Sequence, residues 1–235
     1  VTAACGGGRA RPRAPPLALR TPTASAVADL LVREGVATPE VALEAARAAQ
    51  SHIGLARALA RDPQMRERRR AIITAPASVR SVGEAVMAAD RLLETAKAQA
   101  DAQVSERNAR EKAELMRQLG MDEGETATKA SRTMIRQLEE DQKRRSKRAL
   151  TDAIDRALID LLAIYRDVLM VQVGGDGELI NTDLADLVHE IAQDSTPRQT
   201  LARVDHIETA RKRLVSNGNP LLVLEDMAIS LRPQA

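Results

Sequence analysis

The sequence predicts an all-α fold, chiefly from its helix start signals. Five times a side chain that can cap a helix stands directly before a proline, an arrangement typical of helix N-termini. The five pairs are Thr21-Pro22, Thr38-Pro39, Asp62-Pro63, Thr196-Pro197 and Asn219-Pro220. Two capping boxes, Ser81 with Glu84 and Thr196 with Gln199, add to this pattern. No segment alternates apolar and polar residues over a strand length, so no strand is expected.

The sequence of the N-terminal third predicts short helices after an irregular start. Residues 1–20 are rich in Gly, Pro and Arg without periodicity, so we expect a disordered or aberrant segment there. Three helices are expected at about 23–34, 39–50 and 52–61, which together form a small three-helix domain over residues 21–62. In the first helix Val27, Leu30 and Leu31 share one face, as core residues do. A charged helix from Pro63 to Pro76 follows, with the run 66–70 expected on its surface.

Two long helices are predicted at about 81–119 and 127–173, joined by a polar turn at 120–124. A helix of this length needs a partner for its apolar face. Antiparallel pairing places Leu93 near Ala157, and the same register places Ala100 near Leu150 and Leu115 near Ile135. The sequence therefore predicts a long, coiled-coil-like helical hairpin.

The apolar residues of the hairpin fall into two blocks separated by charged residues. The basal block contains Val82, Val86, Leu92, Leu93, Ile154, Leu158, Leu161, Leu162, Tyr165, Val168 and Leu169. The distal block contains Leu115, Met116, Leu119, Met134, Ile135 and Leu138. Three closing elements, at about 181–193, 197–215 and 220–231, are expected to pack on the basal block. Residues 63–235 would thus form one helical bundle.

Composition excludes several function classes. The 235 residues include 35 Lys and Arg and 33 Asp and Glu, and a net charge of +2 indicates no nucleic-acid or lipid partner. One Tyr and no Phe or Trp cannot form the stacking platforms of single-strand binders. One Cys and three scattered His predict neither disulfides nor a metal site. No apolar run reaches the roughly 20 residues of a membrane span, so we expect a soluble, cytoplasmic protein.

No motif in the chain predicts catalysis. The run Gly6–Gly8 lacks the strand, Lys and helix of a phosphate-binding loop, and no pattern typical of a catalytic triad is present. No catalytic residue, cofactor or small-molecule substrate is therefore expected. His189 and His206 lack a second ligand at helical spacing, which favours structural or surface roles, and the segment that His52 begins is a weak signal by itself.

One basic run could contact a phosphate backbone. Its cations are Lys143, Arg144, Arg145, Lys147 and Arg148. Such contact needs only positive charge, without sequence-specific geometry. Carboxylates within helical reach on both arms favour the other interpretation, charge pairs across the hairpin. Two hypotheses therefore stay open: a helical interaction protein, and a free-standing hairpin that binds DNA or another coiled coil.

Several stretches, taken in order, resemble the delta-prime subunits of bacterial DNA polymerase III clamp loaders, above all the actinobacterial form. The stretches are Arg20–Pro22 with Ala26–Leu31, Ser51–Ala60, Asp152–Leu158, Tyr165–Leu169 and Asn217–Glu225. The resemblance covers about residues 20–231, and the order of the stretches carries more weight than any one motif.

The resemblance implies a lid at 21–62 and a collar at 63–235, in an assembly subunit that binds gamma/tau and delta subunits during DNA replication. DNA contact would be weak or indirect. The AAA+ ATPase-type domain that opens such subunits has no counterpart here, which suggests a truncated or aberrant start. Arg57 stands at a sensor-2-like position, so a remnant role in the holoenzyme's ATPase is a further alternative. The residues expected at the partner interface are Asn219, Leu221, Leu222, Leu224 and Met227.

Overall fold

The computed structural model describes residues 21–120 and 129–233. These residues form nine α-helices and one 3-10 turn and contain no strand, so the all-α prediction is confirmed. The helices are α1 (Ala24–Arg33), α2 (Pro39–Ala48), α3 (Ile53–Arg61), α4 (Pro63–Ser78), α5 (Val82–Gln118), α6 (Lys129–Gln172), α7 (Ala185–Gln193), α8 (Pro197–Val215) and α9 (Pro220–Leu231). The 3-10 turn, Thr182–Leu184, precedes α7.

Most of the predicted caps form. The side chains of four of them accept a backbone N–H of their own helix: Asp62, Ser81, Thr196 and Asn219. Both capping boxes are complete. The prediction that Thr21-Pro22 starts a helix is wrong, because the hydroxyl of Thr23 caps α1 by accepting the N–H of Ala26 at 3.2 Å.

The charged helix α4 extends past its predicted end at Pro76, to Ser78. Pro76 lies in the last turn, where the loss of one backbone donor removes a single helical hydrogen bond. The backbone N–H of Val79 then bonds to the carbonyl of Pro76 and closes this turn.

The two long helices pair antiparallel in the predicted register. The side-chain amide of Gln142 donates to the backbone oxygen of Asn108 at 2.9 Å, which is the offset that the sequence predicts. Ala100 and Leu150 pack together in the middle of the hairpin. At about 1.5 Å per residue, the 37 residues of α5 make an arm of roughly 55 Å.

The two apolar blocks are less buried than predicted at the two ends of the hairpin. Most of the basal block is buried, but Val82 is 48% exposed because it lies in the first turn of α5, beyond the closing helices. In the distal block no described apolar side chain is fully buried, and Met134 is 49% exposed. Two helices alone cannot enclose a core at that end. The predicted polar turn lies mostly outside the described residues.

The described residues contain two main buried clusters. The smaller one joins α1, α2 and α3 through Val27, Leu31, Leu59 and many alanines. The larger one joins α4 to the base of the hairpin and to α7, α8 and α9. The closing helices pack on the base of the hairpin, as predicted: α7 and α8 against α6, and α9 against α5 and α8.

Candidate subunit interface

The five predicted interface residues occupy different environments at α9. Leu224 and Met227 are buried in the core of this chain, and Leu221 is half-buried against it. Asn219 caps the helix, since its Oδ1 accepts the N–H of Leu221 at 3.0 Å. Leu222 is 62% exposed and is the most exposed apolar residue of the five. The remaining apolar residues hold α9 in place.

A tight turn positions the start of α9. Asn217 adopts a φ of 61°, and the backbone N–H of Gly218 bonds to the carbonyl of Arg213 at 2.8 Å. A Cβ on Gly218 would lie 2.9 Å from that same carbonyl oxygen, so the position accommodates only glycine without movement. The ammonium of Lys147 donates to Oδ1 of Asn217 at 3.0 Å. The hairpin and the α8–α9 turn are therefore tied together.

An apolar groove lies beside α9, between α4 and α5. Its lining includes Ile72, Pro76, Val79, Leu92, Leu161, Met227, Ala228 and Leu231. Two arginines, Arg68 and Arg91, lie at the same groove. An apolar surface with polar edges is typical of protein interaction sites. The groove and the outer face of α9 together form the candidate interface.

The predicted basic run is partly neutralised by the hairpin itself. Arg145 donates to both carboxylate oxygens of Glu111 on the opposite arm, at 2.8 and 3.1 Å, and to Asn108 at 2.7 Å. These hydrogen bonds and a second arginine, Arg107, lower the pKa of Glu111 to about 2. Arg144 pairs with Asp141 on its own helix at 2.8 Å.

Of the other cations in this run, Lys147 binds the α8–α9 turn, as described above. Lys143 and Arg148 are exposed and form no hydrogen bond or ion pair within the described part of the chain. They lie five positions apart on α6, so they point in different directions. Three of the five cations thus have partners within this chain, and the other two are isolated. This arrangement favours charge pairs within the protein over a row of cations that contacts a phosphate backbone.

Arg57 forms a local ion pair. Its guanidinium donates to both carboxylate oxygens of Glu34 at 2.8 Å and links α3 to the end of α1. A fork of this kind is geometrically specific. It gives the guanidinium of Arg57 a partner at the surface of the three-helix unit, which accounts for Arg57 without a nucleotide.

A buried polar network escaped the sequence analysis. The prediction that residues 66–70 all lie on the surface is wrong for Arg69, which is 9% exposed. Its Nε donates to Oδ1 of Asp160 at 3.0 Å, and its Nη2 donates to Oδ1 of Asn181 at 2.6 Å. Burial raises the pKa of Asp160 above its ordinary value, and the Arg69 charge opposes that effect. No local pattern reveals this network, because its members lie about a hundred positions apart.

Asp167 extends the network to the segment between α6 and α7. This carboxylate is fully buried and accepts the backbone N–H groups of Ile180 and Asn181 at 3.0 and 2.8 Å. It also accepts the side-chain amide of Asn181 at 2.9 Å and a donor from Arg166. The chain after α6 is thereby held against the bundle, which positions α7.

The histidines have separate roles in the described structure. The ring Nδ1 of His52 accepts the N–H of Leu55 at 3.1 Å and caps α3. His189 and His206 are exposed on α7 and α8. Among the described residues, no group of three or more His, Cys, Asp or Glu side chains could hold a metal ion. No helix in the described ranges has the length and hydropathy to cross a bilayer.

The family comparison concerns the C-terminal part of the chain. Residues 126–232 match the family model described as DNA polymerase III, delta subunit, C terminal. A curated protein of Bacillus subtilis (strain 168), DNA polymerase III subunit delta', is 36% identical over 72 residues. These residues are 31% of this chain and 22% of the relative, so the chain spans about a fifth of that protein's length.

No solved structure matches the chain. The family match nevertheless covers all of α6 and the closing helices α7, α8 and α9, which contribute to the larger buried cluster. The matched segment is therefore a structural unit together with α4 and α5, which pack against it. The C-terminal region of this chain is delta-prime-like, as its sequence resemblance predicted.

Proposed function

We propose that this chain is a non-catalytic assembly subunit of a bacterial DNA polymerase III clamp loader, acting in DNA replication by holding the loader pentamer together. The observation that carries the proposal is the family match over residues 126–232, which falls on the helices of one continuous core. In this proposal the chain contributes binding surface and structural support. Catalysis belongs to other subunits, and the chain acts in the cytoplasm.

The proposed domains are a lid at 21–62 and a collar at 63–235. The two main buried clusters support this division, because one is formed by α1 to α3 and the other begins with α4. Asp62 ends α3 and caps α4 at the proposed boundary. Arg66 crosses it, donating to the carbonyl of Leu59 at 2.6 Å. The lid would therefore be held at a fixed angle to the collar.

The proposed partners are gamma/tau and delta subunits, and the proposed interface is the outer face of α9 with the adjacent groove. Leu222 supports this because a large, largely exposed apolar side chain on a rigid helix is suited to insert into a partner surface. DNA contact is a minor part of the proposal. The internal pairing of Arg144, Arg145 and Lys147 supports that view.

The test is assembly without nucleotide. The full chain is mixed with the gamma/tau and delta subunits of the same organism, and the mass of the complex is measured by light scattering after gel filtration. We expect a stoichiometric complex. A well-folded helical chain that stays alone would contradict the proposal and favour the free-standing hairpin.

A matched pair of surface variants locates the interface. Leu222→Ser removes the exposed side chain of α9 and should weaken assembly by roughly tenfold or more, as for a central interface residue. Met134→Ser changes a comparably exposed apolar residue at the distal hairpin and should leave assembly unchanged. Equal behaviour of the two variants would remove α9 from the interface. Deleting α9 would be less informative, because Leu224 and Met227 are core residues.

A further inference from the structure

A small cleft lies where the ends of α4, α7 and α9 meet above α6 and α8. It has a volume of about 270 Å³. Its apolar lining includes Pro76, Ile191 and Leu231, and its charged lining consists of Arg80, Glu190, Asp194 and Arg203. Tyr165, the single tyrosine of the chain, lies at the same cleft. This cleft adjoins the apolar groove of the candidate interface, with which it shares Pro76 and Leu231.

Arg203 is the unusual member of the cleft. It is 8% exposed, and its guanidinium lies 5.8 Å from the centroid of the Tyr165 ring. Within residues 21–120 and 129–233, no ion pair or hydrogen bond reaches this guanidinium. The contrast with Arg69 is direct, because that equally buried arginine binds both Asp160 and Asn181.

The guanidinium of Arg203 has no counter-ion among the described residues, yet none of its nitrogens is among the fully buried, unpartnered polar atoms, so it keeps contact with solvent in the cleft. Its cation–π contact with Tyr165 is weaker than an ion pair would be. Burial raises the pKa of Tyr165, which lies beneath it, to about 12, which keeps the phenol neutral. The aromatic ring therefore supplies no formal negative charge to the guanidinium. The arginine is left with the capacity to bind an anion.

The cleft suits a single carboxylate better than a phosphate. Glu190 and Asp194 lie in its lining and would repel a dianion more strongly than a single negative charge, which Arg203 and the nearby Arg80 can match. The guanidinium fork also fits a carboxylate with two parallel hydrogen bonds. The volume lies below the roughly 300–1,000 Å³ of ordinary small-molecule pockets, so it suits one inserted side chain. The apolar lining provides contacts for the methylene groups of such a side chain.

We propose that this cleft binds an acidic side chain of a partner protein, which enters between α4, α7 and the end of α9 and ion-pairs with Arg203. The site lies apart from the exposed face of α9, and it does not depend on the clamp-loader assignment. Its test uses this chain alone, so that its failure and a failure of assembly are distinguishable.

The test uses the fluorescence of Tyr165, because the chain has no Trp and no other Tyr. The full chain is titrated with glutamate blocked as its N-acetyl, N-methylamide derivative, with the equally blocked glutamine, and with inorganic phosphate. We expect a saturable change with blocked glutamate and binding at least about tenfold weaker with blocked glutamine, as for a charge-assisted hydrogen bond. Equal binding of the two, no saturable change, or tighter binding of phosphate would overturn the proposal.

Two arginine variants complete the test. Arg203→Met keeps an unbranched apolar side chain above Tyr165 but removes the guanidinium, so it should abolish the response to blocked glutamate. Arg198→Met, an exposed arginine on the same helix, should retain it. Arg203→Met should also unfold at a temperature no lower than the parent chain, because Arg203 makes no hydrogen bond or ion pair in the described residues whose loss would destabilise the fold. A clear loss of thermal stability would show that Arg203 serves the fold and would overturn the proposal.

Discussion

The Nε group of Arg69 donates a hydrogen bond of 3.0 Å to Oδ1 of Asp160, which joins α4 to the C-terminal half of α6 through a pair of buried charges. Both side chains are about one-tenth exposed. Asn181 accepts a second hydrogen bond from the same guanidinium, so the contact also holds the start of the 3-10 turn. One arginine thus connects three segments that are distant in the sequence.

Arg69→Met should destabilise the fold strongly. The substitution leaves the Asp160 carboxylate buried without its counter-ion, and breaking such a pair costs about 3–5 kcal/mol. Urea unfolding followed by circular dichroism measures the loss. Because burial already raises the pKa of Asp160, the deficit should be smaller at mildly acidic pH, where the carboxyl group takes up a proton.

The control for this prediction is Arg70→Met. Arg70 is half-exposed and lies 3.6 Å from Asp183, so its loss should cost no more than about 1 kcal/mol, as for surface ion pairs. The double variant Arg69→Met with Asp160→Leu removes both buried charges and should recover much of the loss. Equal effects of the two arginine substitutions would contradict the role assigned to the buried pair.

A second prediction concerns the titration of Glu111 in the hairpin. The hydrogen bonds from Arg145 and Arg107 lower its pKa from 4.5 to about 2. The unfolded chain therefore binds a proton before the folded chain does, as the pH falls. The resulting stabilisation is fully present above pH 4.5 and is lost as the pH falls from there toward 2.

Carbon-13 NMR of the Glu111 carboxyl group measures this titration directly. Arg145→Gln should move the pKa of Glu111 upward, toward its ordinary value, because it removes the largest cause of the shift. Arg144→Gln should leave it unchanged, since Arg144 pairs with Asp141 instead. An unshifted Glu111 in the parent chain would show that the two arms do not form this ion pair in solution.

The hairpin register could be predicted from sequence, but the buried charges could not. The sequence places Leu93 near Ala157 because small and apolar residues recur at helical spacing on both arms, and both residues are buried in the structure. Such a pattern is local and repeats over many turns. The run that contains Arg69 looks like any solvated helix face, and only the fold brings Asp160 and Asn181 to it.

The candidate interface could also be predicted only in part from the sequence. The apolar composition of α9 predicted a buried helix correctly, but composition cannot tell which face meets this chain and which faces outward. Met227 and Leu224 point inward because α5 and α8 pack on that side, and Leu222 is left outside. The lack of an ion pair at Arg203 could not be predicted from the sequence either, since an arginine on a polar helix normally has a carboxylate nearby.

A third prediction uses the single tyrosine as a spectroscopic probe. Burial raises the pKa of Tyr165 to about 12, while the charge of Arg203 lowers it. The folded chain therefore keeps the phenolic proton at a pH where the unfolded chain has lost it. Stability should fall as the pH rises from about 10, the ordinary value, toward 12.

Absorbance of tyrosinate measures this titration. The native chain should titrate near pH 12, and the chain unfolded in urea near the ordinary value of about 10. Arg203→Met should raise the native pKa further, because it removes the favourable charge. A native midpoint close to that of the unfolded chain would mean that Tyr165 is accessible to water.

The fourth prediction compares two glycines with opposite surroundings. A Cβ at Gly218 would lie 2.9 Å from the carbonyl oxygen of Arg213 and 3.0 Å from a methyl group of Val223, so Gly218→Ala must displace the α8–α9 turn. A Cβ at Gly83, in the first turn of α5, would meet no atom within 4 Å.

We expect Gly218→Ala to lower the free energy of unfolding by about 1–3 kcal/mol, as for overpacked sites. Gly83→Ala should raise it by about 0.5–1 kcal/mol, since alanine has the higher helix propensity. Urea unfolding of both variants gives the comparison. Because the turn also receives Lys147, Gly218→Ala should weaken assembly with partner subunits if α9 lies at the interface, whereas Gly83→Ala should not. A destabilised Gly218→Ala chain that still assembles fully would separate the position of α9 from subunit binding.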